Sequence, residues 1–383
     1  MITWRVGKVV SLGRAWTGAQ ELSVQDEQDR TVRALAYPLL VGAPEVGDQV
    51  VLNSTALDRG LGTGGYALVA AVLPSGHAEA PGPRQSPGHL VKARYTPTQA
   101  MVLGVDEQES PDHETLREAG SIDGMPVITA DLHSALPAIV AGIRSHAQTH
   151  GFVQPKVAYI MTDGGALPAW FSRTVATLRE IGWLDSTITV GQAFGGDYEA
   201  VTVHTGLLAA RHVVQADIAV LIQGPGNLGT GTTWGFSGVA VGEAMNAVSV
   251  LGGTGVGSLR VSGSDLRERH VGISHHSLTA LGRVALAPGQ IVVPQLDQIL
   301  PTFGHSVVSA AELTAKIDRQ IDELQRQAPH HTYISVTATQ DLHEALLASP
   351  VRLSTMGRTY EQDPAAFLTA AVAGVLGGEL VTS

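Results

Sequence analysis

From about residue 90 the chain alternates short β-branched runs with longer amphipathic segments, and few folds accommodate that alternation. Residues 100–105, 126–130, 157–161, 187–190, 218–222 and 258–261 have the length and apolar character of strands. Residues 134–150, 169–181, 199–214 and 238–251 read as the helices between them. This order predicts a parallel sheet covered on both faces, that is, a doubly wound, mostly parallel α/β domain. After residue 282 the alternation loosens into a C-terminal extension. A strand pair is expected around 284–293 and a helix over 311–327. Strand–helix units follow over 332–337, 342–348, 351–354 and 364–374.

The first 74 residues follow a different rule. Runs at 6–12, 31–36, 49–52 and 67–72 are short, apolar or alternating, and bounded by Gly, Asp or Asn. Strands this short expose edges unless they close on themselves, so a small β-barrel-like domain is expected over 1–74. Residues 74–88 hold four prolines and almost nothing apolar. They place a linker at 75–89, ahead of the α/β domain over 90–383. The glycine-rich segment 61–66 reads as a flap.

Composition narrows the partners. The 383 residues carry a formal net charge of −11 with no basic stripe, which argues against nucleic acid and anionic membrane surfaces. Cysteine is absent, which removes disulfides, thiolate metal sites and a cysteine nucleophile together. The N-terminus has no signal-peptide core, and the apolar stretch 365–378 is short and Gly/Ala-rich for a membrane span. A cytoplasmic homo-oligomer that binds a small anionic ligand is the resulting expectation.

Unusual residues gather after the strands, at 131–134, 162–165, 191–199, 223–232 and 262–265. In open α/β sheets the ligand crevice lies outside the carboxyl ends of the strands. Tight strand–helix turns need Gly and Asp in any case, so each loop alone says little. Gly224, Gly226 and Gly229 match G-x-G-x-x-G, but no acid follows at the end of the next strand, as a dinucleotide site requires. Backbone amides free of side-chain bulk could still cradle an anion there. The densest polar stretch is 265–276, with two acids, two arginines and three histidines. Neutral imidazoles suit metal ligation and proton transfer. Consecutive His275 and His276 should point apart, leaving one of them for a site, and Ser274 could cap a helix.

Several of these segments also carry a resemblance. Gly195–Ala200, Gly224-Pro225-Gly226, Gly229–Thr232, Gly235–Gly238 and Arg269–His276, together with 61–66 and 94–97, resemble an uncharacterised bacterial family, domain of unknown function 3866. The resemblance spans nearly the whole chain. It implies a shared fold and site and brings no established reaction.

The functional expectation is a hydrolase or transferase acting on a small anionic, for instance phosphorylated, substrate. Gly195, Gly196, Gly224, Gly226, Gly229 and Thr230 would hold the anion, and Arg267 or Arg269 would neutralise it. Asp163 or Asp197 would be the base, and His270, His275 or His276 would move the proton. A divalent metal, if used, would take Asp163, Asp197 and His275. The alternative is a non-catalytic ligand-binding or assembly protein with the same pocket.

Overall fold

The computed structural model describes residues 2–61, 63–73, 87–303 and 308–382. Gly62 of the expected flap, Pro74 and residues 75–86 of the expected linker lie outside them. The chain forms two compact units. Met1–Leu103 and Trp170–Ala176 make one; Gly104–Ala169 and Thr177–Ser383 make the other.

The first unit is built on a closed five-stranded barrel. Its strands are β1 (Trp4–Trp16), β2 (Ala19–Asp26), β3 (Thr31–Ala36), β4 (Gln49–Asn53) and β5 (Ala67–Leu73). They run in the order β1-β2-β3-β5-β4, with β3 and β5 parallel and β1 closing on β4. This is the connectivity of an OB-type barrel. Alternation fills the interior with Val9, Leu22, Val24, Val50, Leu52 and Val69. Residues 170–176 belong with the barrel because Trp170 and Phe171 join a second cluster with Trp16, Leu35, Tyr37 and Tyr66. The Trp16 indole donates to the Trp170 carbonyl at 2.7 Å. Gly18, at φ +78°, admits the Trp170 ring where a Cβ would stand 2.2 Å from it. Gly64 of the flap segment faces Phe171 of the same unit. Residues 100–105, expected as a sheet strand, instead supply Ala100–Val102, which pairs antiparallel with Leu90–Lys92.

The second unit is a doubly wound α/β domain. Its strands are β6 (Pro126–Ala130), β7 (Val157–Thr162), β8 (Ser186–Thr189), β9 (Tyr198–Glu199), β10 (Ile218–Gln223), β11 (Thr254–Gly257), β12 (Gln290–Gln295) and β13 (Thr332–Thr337). They lie in the order β9-β8-β7-β10-β6-β11-β12-β13, every pairing parallel. β6 and β10 are buried along their whole lengths, as central parallel strands must be.

Helices cover both faces. Val127, Ala219 and Leu221 point to one face, where α2 (Val203–His212) and α3 (Ala240–Val250) pack. Ile128 and Ile218 point to the other, under α5 (Pro364–Thr382), which lies against α1 (Leu136–His150). α5 is long and apolar enough to cross a membrane, but two thirds of it is buried inside the protein. It crosses α1 backbone to backbone. A Cβ on Gly142 would stand 2.0 Å from the Ala371 carbonyl oxygen, and one on Gly374 would stand 2.0 Å from that of Ile139. The Gly/Ala richness of this segment is therefore a packing requirement.

The loosely patterned segments differ most from expectation. The sheet strand near 258–261 is Thr254–Gly257, and the expected strand pair at 284–293 is a π-helical turn, Ala280–Val284, followed by the single strand β12. Residues 351–354 lead into a small hairpin, Ser354–Thr355 with Arg358–Thr359, rather than a sheet strand.

Candidate functional site

The connection leaving β6 runs through α1 to β7, and the one leaving β10 runs through α3 to β11. The two depart in opposite directions across the sheet, so β6 and β10 flank a topological switch point, where such sheets open a crevice. Asp131, the first residue after β6, is buried there. Its Oδ2 accepts from Arg260 Nη1 at 3.0 Å and from His276 Nδ1 at 3.0 Å. Its Oδ1 accepts from Asn227 Nδ2 at 3.0 Å, and Ser237 Oγ in turn donates to Asn227 Oδ1 at 2.6 Å. Burial alone would raise the Asp131 pKa, but the His276 hydrogen bond and the Arg260 charge outweigh it and hold the carboxyl below its usual value.

Gly238 makes room for this carboxylate. A Cβ there would fall 1.6 Å from Asp131 Oδ1. Gly238→Ala is accordingly expected to push Asp131 off His276 and Asn227 and to cost about 1–3 kcal/mol of stability. Urea unfolding measures this, and an unchanged midpoint would mean the carboxylate does not occupy that space.

Three histidines converge beside Asp131. Ser274 caps the short helix α4 (His275–Thr279), its Oγ accepting from the His276 amide at 3.2 Å. The same Oγ lies 2.8 Å from His270 Nδ1. One nitrogen from each of His270, His275 and His276 lies within 4.8 Å of the others. Phe236 stacks on His276, with ring centroids 3.9 Å apart and planes at 6°. Burial, reinforced by Arg260 and Arg267, pushes the His270 imidazole down to about 3. Burial also lowers His275, with His276, Arg269 and Arg260 acting the same way. Both rings are therefore neutral near pH 7, with a lone pair to offer. His275 Nε2 is buried without a hydrogen-bond partner. Donation by His276 Nδ1 to Asp131 would leave Nε2 as the free lone pair, the carboxylate–histidine arrangement that orients metal ligands.

A cavity of about 130 Å³ opens beside the histidines. Arg260, Arg267, Arg269, His270, His276 and the 227–231 turn form its walls. Arg267 is held by Asp265 through Nε and Nη2, both at 2.9 Å. Asp265 also accepts from Arg358 at 3.2 Å, and Arg358 Nε donates to the fully buried Asp363 at 3.0 Å. Arg269 forms no ion pair among the described residues.

Of the residues singled out in the sequence, His270, His275, His276, Arg267, Arg269 and Gly229 come together. Both adjacent histidines join the cluster, contrary to the expectation that one would point away, because they start a helical turn rather than a strand. Other residues serve the scaffold. Asp163 accepts from the Gln192 amide at 2.8 Å. Asp197 accepts from the Thr187 amide at 2.8 Å and pairs with Arg179 at 2.9 Å. Neither joins a group of metal-ligating side chains among the described residues. The Gly195 amide donates to Glu199 and the Gly196 amide to Thr189, closing the turn between β8 and β9. Gly224 donates to the Thr162 carbonyl at 3.0 Å, Gly226 bends the chain at φ +96°, and the Thr230 amide closes a turn onto Gly235. Asp131, Asn227, Phe236 and Arg260 were not foreseen as site residues.

The fold and these contacts define a doubly wound α/β protein with a three-histidine cluster at its switch point. A family model for proteins of unknown function, DUF3866, matches residues 33–374, and the chain belongs to that family. A comparison with curated proteins finds no match.

Proposed function

We propose that the protein is a metal-dependent hydrolase acting on a small anionic substrate. The observation that carries this reading is the His270–His275–His276 cluster, buttressed by Asp131 and opening into an arginine-walled cavity. Three protein ligands with a fourth position left for water or substrate is the pattern of catalytic zinc sites, and a bound divalent cation would supply Lewis-acid polarisation there. The ligand nitrogens need move by less than about 1 Å to stand the usual 2.1 Å from a common ion. Arg269 and the glycine backbone at Gly229 and Gly231 would bind and orient the anion, and Arg260 would stay committed to Asp131. Phe236, buried and stacked on His276, would limit water around the histidines.

The test is metal analysis of the purified protein, followed by a phosphatase and esterase panel with zinc, manganese and cobalt supplied. About one equivalent of metal and turnover lost on chelation are expected. Metal and anion binding without turnover on any ester would favour a ligand-binding protein over an enzyme. Absence of metal binding at micromolar concentration would end the reading.

A further inference from the structure

The size of the cavity and the character of its mouth say more about the ligand. This step rests on the anion-binding reading above. At about 130 Å³ the cavity is slightly smaller than the roughly 150 Å³ space that holds a benzene molecule. It admits an oxyanion headgroup, and a larger ligand would extend out of it. Whatever else the ligand carries must cross the mouth, and there the wall becomes apolar. Leu228 and Met356 both line the cavity while remaining 69% and 49% exposed.

Met356 is held there against local preference. It is the first residue of the two-residue turn between Ser354–Thr355 and Arg358–Thr359, and both turn residues have positive φ, +49° at Met356 and +80° at Gly357. Hairpin turns of this kind favour Asn-Gly, because Asn tolerates the left-handed region better than other side chains. Methionine gains nothing locally in that position. Arg358, the next residue after the turn, is tied to Asp265 and Asp363, so the hairpin tip is fixed at the mouth. Charge adds a second constraint. Asp131 neutralises Arg260, and Asp265 and Asp363 face Arg267 and Arg358, which leaves Arg269 as the surplus cation. With a divalent cation on the histidines, the pocket would carry a surplus of positive charge suited to a multiply charged anion such as a phosphate monoester dianion.

We infer that the site takes a phosphate monoester of an apolar alcohol, its headgroup in the arginine cavity and its alkyl or aryl part across Leu228 and Met356. The probes are methylphosphonate, hexylphosphonate and phenylphosphonate, which share a headgroup and resist hydrolysis. Each is titrated calorimetrically into the zinc-loaded protein. Hexyl- and phenylphosphonate should bind at least about tenfold more tightly than methylphosphonate, since two methylenes removed from water give roughly that factor. Leu228→Ser with Met356→Asn should abolish the gain and leave methylphosphonate affinity unchanged. Both positions are exposed and Asn suits the turn, so the fold should be unharmed. Arg269→Ala should weaken all three probes by about tenfold or more. Equal affinities for the three probes would overturn the apolar subsite while leaving the anion site standing. If methylphosphonate and its relatives all fail to bind, the anion-binding reading falls, and this inference with it.

Discussion

Replacing His275 by leucine is expected to weaken divalent-metal binding by more than about 100-fold while leaving the metal-free fold as stable as before, or more stable by about 1 kcal/mol. The two halves of that expectation share a cause. His275 Nε2 is buried with no hydrogen-bond partner, which penalises the folded state. A leucine of similar bulk removes the unsatisfied nitrogen and keeps the packing beside Phe236. The nitrogen it removes is one of the three that would hold the proposed metal, and even groups one contact further from a metal typically cost 10–100-fold when lost. A site kept at the expense of stability is common where function demands it. Stability must be compared without metal, because bound metal would itself stabilise the wild type. Unchanged metal affinity, or a metal-free variant that melts well below wild type, would show the imidazole to be a structural group.

Asp131→Asn should destabilise the α/β unit by about 3–5 kcal/mol. The substitution keeps the shape and removes the charge from a site where Arg260 and His276 share one carboxylate oxygen. The Arg260 guanidinium is nearly buried, with its side chain 11% exposed, and would be left without its counter-ion. Metal affinity should fall by about 10–100-fold, as His276 loses the acceptor that fixes its ring. Adding Arg260→Met to the variant should restore much of the stability, since the orphaned charge goes with it, but should not restore metal binding. A double-mutant cycle in chemical denaturation measures this coupling, and additive losses would show that the two residues do not form the pair described.

The sequence disclosed the architecture because parallel sheets write themselves locally. β6, β7 and β10 are apolar runs of strand length, and the barrel strands alternate. Strand order is a long-range property and left no local mark. The acids illustrate the consequence. Asp131, Asp163 and Asp197 all stand in loops near strand ends, yet β6 lies between β10 and β11, whose following loops carry Asn227 and Arg260, while β7 and β8 lie beyond β10. Asp131 meets His276 across 145 residues and Arg260 across 129, pairings that neither composition nor spacing could reveal. Asp163 and Asp197 instead stitch neighbouring loops together. The histidines were legible because all three fall within seven residues, so that one turn and one capped helix gather them. Gly238 was unreadable for the opposite reason. Its necessity comes from a carboxylate more than a hundred residues earlier in the chain.

The crossing of α5 on α1 also has a bearing on biosynthesis. α1 follows the first strand of the sheet and emerges early from the ribosome, while the helix that covers it spans Pro364–Thr382. Until those residues have been made, the face of α1 around Gly142 and the underside of Ile128 and Ile218 have nothing to shield them. The barrel strands, complete by Leu73, can close during translation, but the α/β unit must wait for more than two hundred further residues. Nascent chains stalled before residue 364 should therefore carry a sticky, half-covered sheet, and these are the species that holding chaperones would engage.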